Sequence, residues 1–503
     1  MRENLATLLA EASDVGCGLP RYVERDFARY LECGVLVHGF ARVRCESCKD
    51  ELLVAFSCKG RGVCPSCNAK RAQVTAVHLV ERVLPHVPYR QWTLSFPHRV
   101  RWVLLKEKGL LSDVLTLFLR AVFALQRRRA RRQGVCGGQT GAVSFLQFFG
   151  SALQVTPHSH ALVPEGVFVP GEGGVRFEAL PPPTQGEVEW LLRVVRHRVL
   201  RLLEKRGALP AQGPEDALQA YQAHSLQQRL RWTTEVDVRP PPNKQPRCAL
   251  LEGFSLHANT HPHANDRQGL ERRCRYGARG ALALERMSRA EDGRIAYRMK
   301  RPLPDGTTHL LFTGLELLRR LAPLVPPPRA NLTRFHGVFA PGAKLRPFLV
   351  PQAGAEEASE GLEAAARKER MKERTPRVDW GELLRRTFDF DVFAWVRCGG
   401  RRRVLAYVKG APGVRAILEH LGLPTACFDR SGIGERRGPY QPPLTWRWRS
   451  GRAGPGRHGE HRSLHRSAML TSPFKDIFMC RREFPDASDT ATGAVRARRW
   501  VAF

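Results

Sequence analysis

Two Cys-x2-Cys pairs, Cys45–Cys48 and Cys64–Cys67, stand 15 residues apart near the start of this chain and narrow what that region can fold into more than any other feature. A Cys-x2-Cys turn aims two sulfurs at one ion, and two such turns complete a tetrahedron, the spacing of a four-thiolate zinc ribbon. In a module this small, Zn2+ binding contributes on the order of 10 kcal/mol to folding. Cys33 and Cys58 fall in the same stretch, with His38 nearby, and serve either as a second site or as buried apolar side chains. Thirteen cysteines, an odd number gathered towards one end, fit metal binding in a reducing compartment and not a secreted disulfide scaffold.

Charge supplies the next constraint. Lys and Arg number 81 against 48 Asp and Glu, a net +33 over 503 residues. Such an excess points to a polyanion, above all nucleic acid, because phosphate contacts release counterions. No apolar run approaches the roughly 20 residues that a spanning helix needs, so no membrane partner is expected. The N-terminal MRENLATLLAEASDVG carries acidic residues and no long apolar core, unlike a signal peptide. The expectation is a cytoplasmic protein that handles DNA or RNA.

The stretch from Gly141 to Val169 carries the chemistry. Ala142–Phe149 is apolar and aromatic and short enough for a buried strand; His158-Ser159-His160 then opens a second strand-like run that ends at Val169. Residues two apart on a strand share a face, so both imidazoles project together, as a pair of ligands for a divalent metal would. The pattern alone is common in a chain with 17 histidines, and His261 and His263 repeat it. Downstream, Asp266 caps a helix beginning near Gln268, which sets Tyr276 among Arg272, Arg273, Arg275 and Arg279. Neighbouring guanidiniums favour a phenolate, although a tyrosine packed under arginine stems reads the same way.

Other elements follow from periodicity. Residues 1–30 read as amphipathic helix, Gln91–Phe96 as a strand, Gly109–Leu125 as a helix running into Arg127–Arg132, and Glu187–Lys205 as a helix with Leu191, Val195, Val199 and Leu202 on one face. Ile295–Lys300 and His309–Phe312 flank a Pro-Asp-Gly turn as a hairpin, and Leu315–Leu324 reads as a short helix. The proline-rich stretches 208–215 and 239–247 read as surface loops.

These motifs, in this order, resemble the rolling-circle transposases of bacterial insertion sequences that have an HUH nuclease core, in their single-tyrosine, common-region branch. The resemblance rests on FSCKGRGVCPSC, GAVSFLQFFGSAL with HSHALVPEGVF, GFSLHA, GLERRCRYGARGALALERM, DGTTHLLF and RFHGVFAPGAKLRP, and spans about Tyr30 to Pro424. It implies an α+β fold: an HUH nuclease-like antiparallel sheet flanked by helices, with an N-terminal zinc ribbon and a partly disordered basic C-terminal tail. It implies His158 and His160 as catalytic metal ligands, His257 of GFSLHA as a further ligand, Tyr276 as nucleophile, and Arg272, Arg275 and Arg279 as DNA-binding. Arg272 stands where two-tyrosine relatives place their first tyrosine. Ser159 replaces the usual bulky apolar residue between the histidines, Pro157 precedes them, and Trp395 stands where a cysteine partner for Cys398 is expected.

The implied organisation is a transposase zinc-binding domain at 1–90, the tyrosine transposase catalytic domain at 91–350, a linker at 351–379, a small module at 380–425 and a basic tail at 426–503. The implied activity is nicking and rejoining single-stranded DNA at insertion-sequence ends through a 5′-phosphotyrosine, with structural Zn2+ and catalytic Mg2+ or Mn2+. The alternatives are a remnant that only binds DNA, and a replication initiator or relaxase. The oligomeric state is not readable from the sequence.

Overall fold

The computed structural model describes residues 2–14, 18–107, 109–171, 174–208, 246–300, 302, 305–349, 383, 385–386, 391, 393–395 and 397–425. The expected linker and tail lie outside them, as do the two proline-rich loops almost wholly.

The N-terminal region forms two helices, α1 (Arg2–Asp14) and α2 (Arg21–Glu32), and not one. Pro20 stands immediately before α2, where a fixed φ and a missing N–H start a helix but cannot continue one. Strands β1 (Phe40–Cys45) and β2 (Glu51–Ala55) follow, then α3 (Pro65–Arg82), with Pro65 in its first turn. After β3 (Tyr89–Ser95) come α4 (His98–Lys106) and α5 (Leu110–Arg132). The apolar positions of α5, Leu111, Leu115, Phe118, Val122 and Leu125, recur at helical spacing and are all buried.

Next are β4 (Gly141–Phe149), β5 (Val155–Pro164), β6 (Gly166–Gly171) and β7 (Gly174–Ala179). The run from His158 to Val169, expected as one strand, is therefore two. β5 stays in the main sheet, while β6 leaves it to pair with β7. A capping box between Thr184 and Glu187 starts α6 (Gln185–Lys205). Strands β8 (Cys248–Leu251) and β9 (Phe254–Thr260) precede α7 (Arg267–Ala278), whose first turn is capped by the Asp266 carboxylate accepting from Gly269 N–H. The antiparallel strands β10 (Met287–Arg289), β11 (Ile295–Arg298) and β12 (His309–Phe312) include the expected hairpin. Then come α8 (Gly314–Leu321), β13 (Thr333–Gly337), α9 (Arg346–Leu349), β14 (Arg402–Val408) and α10 (Ala411–His420).

The main sheet has six strands in the order β13-β4-β5-β3-β9-β8, with antiparallel pairings throughout. Its two faces have different fates because alternate residues point opposite ways. Trp92, Leu94, Ala142, Leu146, Ala161, Val163, Leu256 and Ala258 pack in one cluster with α4, α5 and α6. Val143, Phe145 and Leu162 turn to the other side, where they meet α3 and α7. Ser159 pairs with Leu146 and Leu94, so it belongs to the first face; its buried hydroxyl has no hydrogen-bond partner there. The residue that departs from the family pattern thus points away from its two histidine neighbours.

Helices α1 and α2 do not form a core of their own. Leu8, Val23 and Phe27 share one cluster with Tyr297, Phe312, Leu317, Leu318 and Leu321 from the later hairpin and α8. On the far side, β1 sits between β2 and β14, so a strand beyond residue 400 completes the sheet of the N-terminal module. The fold is α+β, with antiparallel sheets flanked by helices.

One contact sets the height of α7 above the sheet. Gly277 lies so close to β4 that a Cβ there would run into the Phe145 ring. We expect Gly277→Ala to push this helix off the strand and to lower stability by about 1–3 kcal/mol in denaturant titration; an unchanged midpoint would mean that the contact is slack.

Candidate active site and cysteine clusters

The register of β5 builds the histidine pair. His158 lies opposite Gln147 on β4 and Ser95 on β3, and His160 lies opposite Phe145 and Thr93. Both therefore stand on the face that carries α7, with ring centroids 4.9 Å apart. His158 Nδ1 donates to the Thr156 carbonyl at 2.7 Å, which leaves Nε2 as the acceptor of a neutral ring. His160 Nδ1 lies 3.0 Å from both Thr93 Oγ1 and Gln91 Nε2, while its buried Nε2 has no partner. Burial pushes the His160 pKa down to about 3, helped by the charges of His158, Arg279 and Lys300. Burial also lowers that of His158, against the pull of the Thr156 carbonyl. Both rings are neutral near pH 7; His158 offers its Nε2 lone pair to a cation, and His160 offers its own in the tautomer whose Nδ1–H donates to Thr93 Oγ1.

Tyr276 comes from the last turn of α7, and its ring centroid lies 5.6 Å from that of His160. Gln147 holds this turn from below: its amide donates to the Tyr276 and Gly277 carbonyls at 2.8 and 3.0 Å. These are end-of-helix carbonyls without intrahelical donors, so one buried side chain satisfies them and locks the tyrosine's backbone to the strand carrying its neighbours. Lys300 Nζ donates to the phenol oxygen at 2.7 Å, and the Arg279 guanidinium lies 4.4 Å from the ring centroid. Burial alone would raise the phenol pKa, but the Lys300 hydrogen bond and the charges of Arg279 and Lys300 outweigh it and hold the pKa below the ordinary tyrosine value.

The other expected site residues separate. Of the three arginines, only Arg279 stacks on the tyrosine. Arg275 turns to α3, donating to Gln73 Oε1 at 3.1 Å, and Arg272 is exposed, 4.0 Å from Asp266. His257 is not brought to the histidine pair. It faces Thr93 across β3, so a whole strand separates it from His160, and its Nδ1 lies 2.9 Å from Cys248 Sγ. Among the described residues, the only groups of three or more potential ligands with atoms within 4.8 Å of one another are two cysteine clusters.

Those clusters redraw the zinc ribbon. Cys64 and Cys67 meet Cys33 and Cys58, whereas Cys45 and Cys48 meet Cys398. The two Cys-x2-Cys pairs do not share an ion, because the β1–β2 hairpin carries the first pair to one end of its sheet while the second opens α3. In the four-cysteine cluster the Cys33–Cys64 and Cys58–Cys67 sulfurs are 3.8 and 3.5 Å apart and none is in a disulfide. Those separations suit thiolates around one tetrahedral ion.

The sequence by itself assigns no role to Gln147, Lys300 or Thr93. Gln147 does carry a signal, as a lone amide inside an apolar strand. Lys300, 24 residues beyond the tyrosine, carries none, because only the hairpin's return brings it over the phenol.

Comparison with known proteins finds relatives for two segments of the chain. Residues 141–346 match a family described as "Putative transposase", and residues 5–96 match the "Transposase zinc-binding domain". The first match contains the histidine pair and Tyr276, and the second contains the four-cysteine cluster. "Putative transposase y4qJ" of Sinorhizobium fredii is 26% identical over 266 residues, 51% of this chain and 58% of that protein. The chain thus spans somewhat over half the length of this curated relative. No solved structure matches it significantly. A segment matching a transposase zinc-binding domain is thus followed along this chain by one matching a transposase family, an order that fits an insertion-sequence transposase with an N-terminal zinc domain. Among the described residues, no helix is long and apolar enough to cross a membrane.

The Lys300 contact makes a pH prediction. Lys300→Met removes a proton donor and a positive charge from the phenol, so the Tyr276 pKa rises. If the phenolate is the reacting species, the rate at pH 7 should fall by on the order of tenfold and the rising limb of the pH–rate profile should move to higher pH. A profile reduced in height but not displaced would show that Lys300 only fills space.

Proposed function

We propose that this protein nicks and rejoins single-stranded DNA at the ends of an insertion sequence by rolling-circle, HUH-type chemistry, with Tyr276 as nucleophile. The observation that carries the reading is an acidified tyrosine set edge-on to His160, 5.6 Å between ring centroids, with the neutral ring of His158 a further 4.9 Å from that of His160 on the same strand. The transposase match over 141–346 favours this over a replication initiator or relaxase.

The Tyr276 oxygen attacks the scissile phosphorus in line. A P–O bond to tyrosine forms as the bond to the 3′ oxygen breaks, leaving a 5′-phosphotyrosine and a 3′-oxygen that takes up a proton. The phosphodiester energy is kept in the new ester, so a later 3′-hydroxyl restores the strand by the reverse step. Lys300 and Arg279 hold the phenol towards its phenolate form before attack, and their charge then faces the phosphate. His158 Nε2 and the unpartnered His160 Nε2 fit a divalent cation, Mg2+ or Mn2+, which when bound would offset charge on the non-bridging oxygens. Gln147 keeps the nucleophile in register with these histidines.

The basic surface supplies the grip on DNA. Arg127, Arg131 and Arg132 at the end of α5 are exposed, whereas Arg128 lies over Trp190 of α6 and Arg129 donates to the Pro181 carbonyl in the loop before that helix. Cys33, Cys58, Cys64 and Cys67 form the structural zinc centre of the N-terminal domain. It ties the loop after α2 to the start of α3, the helix on which α7 rests.

A single-stranded oligonucleotide carrying the element's terminus should form a covalent adduct with the wild type in Mg2+ or Mn2+. Tyr276→Phe should abolish that adduct while binding persists, and His158→Ala should slow its formation by roughly 100-fold or more. Binding without any wild-type adduct would instead identify a protein that only holds DNA, and an adduct surviving Tyr276→Phe would place the nucleophile elsewhere.

A further inference from the structure

The second cysteine cluster joins residues 353 positions apart, since Cys45 Sγ and Cys398 Sγ lie 3.4 Å from each other. Cys48 completes a group whose three sulfurs all lie within 4.8 Å of one another. Cys398 lies beyond both segments that match a transposase family.

The backbone around the group is a repeated turn. At the end of β1, Cys45 N–H donates to the Asp50 carbonyl and Lys49 N–H donates to the Cys45 carbonyl, at 2.8 and 3.1 Å. Before β14, Trp395 N–H donates to the Gly400 carbonyl and Gly399 N–H donates to the Trp395 carbonyl, at 2.7 and 2.9 Å. The spacing and direction of these bonds are identical. The fifth residue of each turn has a left-handed φ, +61° at Lys49 and +66° at Gly399. Cys398 therefore occupies the place of Cys48, and Trp395 the place of Cys45.

The two turns face each other. Glu46 N–H donates to the Arg401 carbonyl at 2.8 Å, and Cys45 is registered opposite Arg402 across β1 and β14. Gly400 packs against the first turn so tightly that a Cβ would strike Ser47 and come within 2.9 Å of Cys45 Sγ. Two cysteine knuckles brought face to face make a tetrahedral thiolate site. Here three corners are sulfur, and the fourth turn position holds an indole, which has no lone pair to give a metal.

We propose that Cys45, Cys48 and Cys398 form a second metal site, a three-thiolate centre for Zn2+ with its fourth corner left to water or an exogenous ligand, and that this ion staples β14 to the N-terminal module. Three soft thiolate ligands select zinc over hard cations such as Mg2+ and Mn2+. Binding releases the thiol protons to solvent and leaves the ion's charge state unchanged. The centre is independent of the Tyr276 chemistry.

The full-length protein, purified with its metal, should contain two zinc ions per chain by elemental mass spectrometry. Cys48 and Cys398 are exposed, so without a metal iodoacetamide can reach both thiols. In the zinc-loaded wild type both should be protected at least tenfold relative to the chelator-treated protein, read by peptide mass spectrometry. Cys398→Ser should leave one ion, and Trp395→Cys, which supplies the missing sulfur, should slow loss of the second ion to chelator. One zinc per chain with Cys48 and Cys398 alkylated at the free-thiol rate would overturn the proposal. So would protection that persists without zinc and disappears on reduction, since that is a disulfide within the cluster.

Discussion

The close seating of α7 on β4 is the constraint from which the rest of the candidate active site follows. A helix normally stands off a sheet by the thickness of the side chains between them, but here Gly277 removes that layer above Phe145. The helix end descends far enough for Gln147 to reach two of its carbonyls from the strand. Phe145 and Gln147 are the residues registered opposite His160 and His158. The strand pairing that places the histidines therefore also fixes the tyrosine beside them, and no separate loop has to hold it.

The same economy shows in how charge is managed. The histidine rings lie in a buried layer where protonation is costly, and the cations nearby make it costlier still. Those cations act in the opposite sense on the phenol, whose proton loss they favour. One set of positive charges therefore keeps the histidines neutral and, at the same time, favours the phenolate of Tyr276. The basic composition is concentrated chemistry here as well as a general attraction for polyanions.

Much of this arrangement is legible in local sequence patterns. The buried strand Ala142–Phe149, the helix containing Tyr276 with its Asp266 cap, the long helix α6 and the β11–β12 hairpin all follow from periodicity and capping, which are written into neighbouring residues. What depends on distant segments is not legible. Cys45 and Cys48 read as partners of Cys64 and Cys67 because spacing along the chain is all that a motif records, whereas sheet geometry gives each pair different company. His257 reads as a ligand from its motif, but the register puts β3 between it and His160. Ser159 reads as a defect of the histidine pair, although alternation along β5 sends its side chain into the opposite layer. Lys300 reaches the phenol only through tertiary return of the hairpin, for which no local rule exists.

The pairing of β1 with β14 also orders events in time. A ribosome delivers β1 early, yet its second neighbour begins at Arg402, after the whole six-stranded sheet has been made. Through most of synthesis one edge of β1 carries unpaired N–H and C=O groups, the kind of edge that recruits foreign strands. A chain ending shortly before Arg402 would keep every residue of the tyrosine site and still bear that open edge permanently. Completion of the first module thus reports that the last one has arrived, and unfinished copies are marked by a sticky strand at the end of the protein that was made first.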